Sequence, residues 1–522
     1  MLNGHGRAWR LAFILLLGFA SGLPLALTGT AIQAWLTVEG IDIATIGFFS
    51  LVGLPYTFKF LWAPLMDRFE PPLLGRRRGW LVVTQLALAA ALAALALISP
   101  SANTQGFALM AVLIAFLSAS QDIIIDAYRT DILSPQERGL GSSLGVFGYR
   151  MAMILSGGIA FVWADAQAGN GWSWPKIYTI MAIIMMVLAA LSLLLLPRVP
   201  QSNVAPSSDA RNDVLGFLAV IAAVAIGYQI TTRFFTPLAE TVLLPIFPDI
   251  DGAADPNRKK WADLLSLLLG VGVTLPLAWL AAQKAKFETL NRSLANYFSM
   301  PGAGAFLLLI ILYKLGDAFA GSLTTAFLMK GAGFAQAEIG VVNKVIGIWL
   351  TIVGAVAGGA LMVKIGLFRS LLYFGVLQLL SNFGFYAVAV LGKNAWGAFH
   401  LPAFDFIIVS LKESANVDWL LLTAVGAENI TGGMGTAAFV AFLMALCHQK
   451  FTATQYALLS AFAAIGRVWV GPLSGVLSES IGWPAFFIFS TVMAAPGIAM
   501  LYWMKAIILK LEAPKGTGAL DD

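Results

Sequence analysis

The chain has 522 residues, 59% of them hydrophobic and only 11% charged, with a formal net charge of +5. Soluble globular chains carry about 25% charged residues, so this composition argues against a soluble enzyme and describes a multi-pass protein of the lipid bilayer. The positive charge does not point to nucleic acid, because the basic residues form no single face and recur in alternate loops, as membrane topology requires.

The first segment, MLNGHGRAWRLAFILLLGFASGLPLAL, has the outline of a secretory signal. Its apolar run continues to about Leu36, beyond the roughly 7–15 residues of a signal core, so an uncleaved first spanning helix is expected. Thirteen further apolar segments follow, at about 43–66, 79–99, 105–130, 140–164, 174–197, 214–232, 262–282, 303–328, 338–363, 368–391, 417–446, 452–477 and 483–506. The ten-residue alternation of a barrel strand is missing, so helices are expected, fourteen in all. Most lysines and arginines outside the segments fall on one side if the N-terminus is cytoplasmic, among them Arg68, Arg76, Arg77, Arg78, Lys284, Lys286 and Arg292. That asymmetry places both termini in the cytoplasm.

Residues 198–213, RVPQSNVAPSSDARND, read as a linker. Two weaker apolar segments and the amphipathic KAKFETLNRSLANYF (284–298) come next. The chain therefore reads as an all-α protein in three parts. Residues 1–198 form a six-helix bundle, 199–300 an insert with two extra helices, and 301–522 a second six-helix bundle with a short tail. The external loops at 233–261 and 392–416 hold apolar stretches suited to the membrane surface. The halves echo one another: AWLTVEGIDIATIG (34–47) resembles AFLMKGAGFAQAEIG (326–340), and Arg150 precedes Gly158 as Arg467 precedes Gly475, by eight residues each. Six plus six with internal similarity is the architecture of major facilitator transporters.

Ten ionisable residues fall inside the segments: Lys59, Asp122, Asp126, Arg129, Arg150, Lys314, Asp317, Lys344, Glu428 and Arg467. Each costs about 2.5–3.5 kcal/mol at the centre of a membrane helix, so they must pair, face water, or both. Asp126 and Arg129 stand i,i+3, as a structural latch or a gate; Lys314 and Asp317 stand likewise, as a self-neutralising pair or part of a site. Asp122 has no base at i±3 or i±4 and is the better candidate for a proton-carrying group. Arg150 and Arg467, one in each half, either contact an anion or pair with carboxylates of the fourth or tenth helix. Six bases against four acids suit a substrate bearing carboxylates. Gln33, Gln121, Asn343 and Asn429 add amides, and Trp35, Tyr128, Tyr149 and Trp349 either stack on substrate or serve packing. Charges from the two halves are expected to converge on a shared wet chamber. No GxxxxGK[ST] stretch occurs, which leaves an ion gradient as the simple energy source. One cysteine, Cys447, permits no intrachain disulfide, and His5, His400 and His448 are too dispersed to suggest a metal site. No cofactor and no enzymatic activity are expected.

LMDRFEPPLLGRRRGW (65–80) resembles the loop between helices 2 and 3 of major facilitator proteins, with Asp67, Arg68 and Arg76–Arg78 matching and the first glycine replaced. GFASGLPLALT, LWAPLMDRF, FLSASQDIIIDAYRTDIL, LYKLGDAFAGSLTTAFL, GGMGTAAFVAFLMALC and TQYALLSAFAAIGRVWVGPLSG resemble the AmpG muropeptide permeases over about 1–198 and 301–505. The resemblance implies a proton-driven importer in the inner membrane of a Gram-negative bacterium. Its cargo would be N-acetylglucosaminyl-1,6-anhydro-N-acetylmuramic acid with or without peptide, with a link to wall recycling and β-lactamase induction. Acetyl-CoA transporters resemble the family distantly, which makes acetyl-CoA the alternative cargo. In the family the extra helix pair is expected after the twelfth helix; here it falls between the halves. The reading assigns substrate contact to Gln33, Trp35, Lys59, Gln121, Arg150, Lys314, Asn343, Lys344, Asn429 and Arg467. It assigns proton coupling to Asp122, Asp126, Asp317 and Glu428, and gating to Asp67, Arg68, Arg76, Arg77 and Arg129. A monomer is expected.

Overall fold

The computed structural model describes residues 7–63, 66, 70–71, 74–132, 138–197, 210–249, 255–288, 291, 295, 298–299, 302–406, 409–411, 415–446 and 452–512. The chain is mostly helical. In order the helices are α1 (Ala8–Val38), α2 (Ile43–Phe58), α3 (Arg76–Leu95), α4 (Thr104–Ile132), α5 (Leu144–Ala164), α6 (Trp174–Leu195), α7 (Arg211–Leu243), α8 (Asn257–Lys284), α9 (Ala303–Gly331), α10 (Gln336–Ile365), α11 (Leu367–Leu391) and α12 (Trp419–Ala445). A long rod then breaks at Gly482, where φ is +78°, into α13 (452–481) and α14 (483–503), and α15 (Lys505–Glu512) follows. Eleven helices among the described residues are long and apolar enough to cross a membrane.

Local sequence accounts for the boundaries. Asp42 caps α2 by accepting from the Thr45 amide at 2.9 Å, and Asp418 caps α12 by accepting from the Leu421 amide at 2.8 Å. Gly75 (φ +80°) and Gly366 (φ +85°) hold the corresponding turns into α3 and α11, a backbone region that a side chain would disfavour. The loop at 392–416 differs from expectation. It contains β1 (Ala398–Leu401), β2 (Phe404–Phe406), β3 (Val409–Leu411) and β4 (Ala415–Asp418), paired antiparallel as β1–β4 and β2–β3. The alternation in AFHLPAFDF suits strand pairing, so the fold is α-helical with a small β excursion. At 233–261 the apolar ETVLL continues α7 through a π-helical turn, Thr231–Phe235.

Small residues set the helix pairs. Gly18 and Gly22 of α1 lie against the backbone of Gly145 and Tyr149 of α5, with no room for a Cβ. Gly354 and Gly433 do the same between α10 and α12. Without a hydrophobic drive between helices in lipid, such backbone approach is what holds them.

The apolar core is divided unevenly. At the end where α1 finishes and α2 begins, one cluster runs through both groups of helices, joining Leu27, Trp35, Phe107 and Tyr178 to Phe327, Phe385 and Phe487. At the other end it separates. Phe13, Leu17, Leu81, Ile124 and Tyr128 form a cluster among α1–α6, while Leu309, Leu371, Phe439 and Leu501 form another among α9–α14. Among the described residues, the two groups share one apolar cluster at the clasped end and form separate clusters at the other, distinct end.

Candidate transport site

Two kinds of site emerge: a cavity at the distinct end that carries two carboxylates and an arginine on a largely apolar lining, and hydrogen bonds that fasten the clasped end. The cavity has a volume of about 260 Å³. Its walls come from α1 (Ile14, Gly18, Ser21), α4 (Asp122, Ile125, Asp126, Arg129) and α5 (Gly145, Val146, Tyr149). The glycine contacts of α1 on α5 leave the carboxylates of α4 as the polar wall. Asp122 accepts a hydrogen bond from the Ser21 hydroxyl at 2.5 Å. Asp126 and Arg129 form an ion pair at 3.0 Å on the open side, with the Asp126 side chain 57% exposed. Lys59, on a short turn after α2, lies within electrostatic reach of Asp122, as does Tyr56. Gln121 is fully buried, and neither its amide nitrogen nor its oxygen has a partner among the described residues. Arg150 makes no ion pair among the described residues; its guanidinium donates to the Met153 sulfur at 4.0 Å.

In the second group of helices, Lys314 and Asp317 pair at 3.5 Å, and Lys314 reaches the Thr436 hydroxyl at the same distance. Asp317 borders a narrow cleft with Gln378 and Asn382 of α11 and Ala494 of α14. Asp122 and Asp317 line two different pockets, the first bounded by α1, α4 and α5 and the second by α9, α11 and α14.

Other expected contacts are placed differently too. Trp35 is 1% exposed and packs edge-on against Phe107 at 4.9 Å and against Tyr178 at 5.1 Å. It belongs to the core, not to a substrate wall. Asn429 bridges α10 and α12, accepting from Thr351 at 2.8 Å and donating to Glu428 at 3.1 Å. Gln33 donates to the Ser322 carbonyl at 2.9 Å and so joins α1 to α9 at the clasped end. Asn343 is buried in the π-helical turn Gly340–Ile346 of α10. Arg76 and Arg77 open α3, half-buried. Asp67 and Arg68 lie outside the described residues, as do the side chains of Lys344 and Arg467.

The clasp itself was not anticipated from sequence. Asp165, at the end of α5, accepts from the Ala337 amide at the start of α10 at 2.9 Å. Its other oxygen accepts from Gln167 and Ala168 at 3.0 and 2.9 Å. Glu479, near the end of α13, accepts from the Ile43 and Ala44 amides at the start of α2 at 2.7 and 3.2 Å. Each carboxylate thus satisfies orphan amides at a helix N-terminus across the seam. Beside them, the Ser50 hydroxyl of α2 donates to the Val468 carbonyl at 2.8 Å, and Lys330 donates to the Ile41 carbonyl. The signal was present: Asp165 and Glu479 each follow the duplicated Arg–Gly pair and end its helix.

Comparison with known proteins decides the family. The anhydromuropeptide permease of Escherichia coli K12 is 41% identical over 492 residues, covering 94% of this chain and 79% of the relative. The chain belongs to the AmpG family of anhydromuropeptide permeases. An uncharacterized Haemophilus influenzae protein is 32% identical, covering 93% of this chain and 92% of its own. A family model described as Acetyl-coenzyme A transporter 1 matches residues 10–172. Among solved structures, a peptide transporter POT aligns with a TM-score of 0.64 at 14% identity, covering 98% and 96% of the two chains. The inward-open xylose transporter XylE of E. coli aligns with 0.56 at 13%, covering 97% of each. These likenesses carry the major facilitator fold.

Proposed function

We propose that the chain is a proton-coupled importer that carries anhydro-muropeptides, the disaccharide with or without its peptide, from periplasm to cytoplasm by alternating access. The observation that carries the reading is the Asp122 cavity, in a chain 41% identical to a protein named for anhydromuropeptide transport. In this reading all fourteen helices cross the cytoplasmic membrane of a Gram-negative bacterium, both termini are cytoplasmic, and the protein acts as a monomer. The clasped end then faces the periplasm and the distinct end the cytoplasm.

Asp122 takes the coupling proton: it is a carboxylate at membrane depth whose Ser21 hydrogen bond can be made and broken as the cavity changes access. Arg150 is the cation for a substrate carboxylate, because nothing described in the protein neutralises it. Gln121 supplies an amide to sugar hydroxyls, and an unpartnered buried amide costs about 1–3 kcal/mol until such a partner arrives. The Asp126–Arg129 pair gates the cytoplasmic mouth. Glu428 and Asp317 remain secondary proton carriers, and Lys314 and Arg467 further anion contacts.

A second reading, acetyl-CoA as cargo, is favoured by the family match over residues 10–172. Uptake of external labelled anhydro-disaccharide into proteoliposomes separates the two. Excess unlabelled muropeptide should abolish uptake, and excess acetyl-CoA should leave it unchanged; the reverse pattern would replace the first reading with the second.

A further inference from the structure

Helices α7 and α8 stand outside the six-plus-six count, and nothing in the transport reading gives them work. The first turns of α8 meet the seam between α2 and α13. Leu264 is buried with Ala44 of α2 and Val476 of α13, among Trp261, Phe48 and Leu473. Trp261 donates its indole N–H to the Ser480 hydroxyl at 3.2 Å, and Lys260 pairs with Glu479. Glu479 is the carboxylate that closes the N-terminus of α2. One of its oxygens is given to the Ile43 and Ala44 amides, the other to Lys260.

The opposite seam shows why a second partner matters. Asp165 lies in a loop, and its spare oxygen is fixed by the amides of that same loop. Glu479 lies on a helix rather than in a loop that folds its own amides back onto the carboxylate, and a glutamate has one more rotatable bond than an aspartate. Lys260 supplies from the insert what the loop supplies to Asp165.

We propose that the α7–α8 pair is a strut for the periplasmic gate, with Lys260 as a positioning residue that holds Glu479 on the α2 N-terminus and so weights the protein toward its clasped state. The proposal rests on the alternating-access reading. It gives the insert a role in the conformational equilibrium and none in substrate contact.

The test is a distance distribution on the full-length protein in lipid nanodiscs. Cys447 is replaced by serine, and spin labels are placed at Val38→Cys and Ile481→Cys, exposed positions on opposite groups of helices at the clasped end. Lys260→Met should raise the ratio of long to short distances about fivefold, the scale of one shielded ion pair. Lys260→Arg should restore the parent distribution. Glu479→Gln should shift it the same way, and the double variant Lys260→Met with Glu479→Gln no further than Glu479→Gln alone. Lys260→Gln is measured alongside in case methionine disturbs folding. If Glu479→Gln shifts the distribution while both Lys260 variants leave it at the parent value, the strut is overturned and the gate stands. If Glu479→Gln leaves it unchanged as well, the clasp is no gate, and the alternating-access reading fails with the strut.

Discussion

Gly340 of α10 meets Gly158 of α5 so closely that a Cβ built on Gly340 would lie 2.7 Å from the Gly158 carbonyl oxygen. Gly47 of α2 meets Gly475 of α13 in the same way, its built Cβ 2.8 Å from the Gly475 Cα. The two pairs occupy corresponding places in the duplicated halves, and together with Asp165 and Glu479 they define the closed end.

The first prediction follows from that packing. Gly340→Val places two methyl groups where backbone now lies. Overpacking of this kind costs about 1–3 kcal/mol, which lowers the clasped population roughly five- to hundredfold. Spin-label distances across the α5–α10 seam should lengthen, and uptake should fall by a similar factor while the purified protein remains folded. Unchanged distances would contradict the tight crossing.

Asp165 should be worth more than its surface counterparts. Asp165→Ala leaves the Ala337, Gln167 and Ala168 amides without their acceptor. Losing charge-assisted hydrogen bonds of about 1.5–3 kcal/mol each should lower the melting temperature by several degrees and open the same seam. Asp126→Asn, which loses a largely exposed ion pair, should lower the melting temperature by much less than Asp165→Ala.

Arg150 should show opposite effects on stability and on binding. Removing a cation that has no ion pair among the described residues relieves a cost of about 2.5–3.5 kcal/mol at membrane depth, so Arg150→Gln should melt no lower than the parent. Substrate affinity should fall about ten- to hundredfold, and a muropeptide with its carboxylates amidated should bind parent and variant equally. Equal losses for the acidic and amidated ligands would remove Arg150 from the anion site.

Trp35 separates packing from recognition. Trp35→Ala should cost about 3–5 kcal/mol of stability through the cavity left beside Phe107 and Tyr178, with the KM for the anhydro-disaccharide unaltered in the fraction that folds. A raised KM at normal stability would return Trp35 to the substrate wall.

Helix positions were legible because apolar runs bounded by Pro, Gly and charge reduce, in lipid, to a nearly one-dimensional signal: the break expected near 477–483 falls at Gly482, where positive φ ends the rod. The seam glycines were legible through the Arg150–Gly158 and Arg467–Gly475 echo. What the sequence withheld depends on which helix faces which. Asp317 was visible as a buried acid, but its cleft with Gln378 and Asn382 depends on α11, some sixty residues away. Trp35 reads equally as stacking platform or core ring, and only Phe107 and Tyr178 decide it. The role of Glu479 could not be read, because the amides that donate to it, at Ile43 and Ala44, lie more than four hundred residues earlier.

The measurement that bears most directly on the account is gradient-driven accumulation of labelled anhydro-disaccharide in proteoliposomes, parent against Asp122→Asn. With an inward proton gradient the parent should concentrate substrate, an uncoupler should abolish the accumulation, and Asp122→Asn should keep substrate exchange without net accumulation. Accumulation by Asp122→Asn at the parent level, or uptake by the parent indifferent to the uncoupler, would contradict proton coupling through this carboxylate.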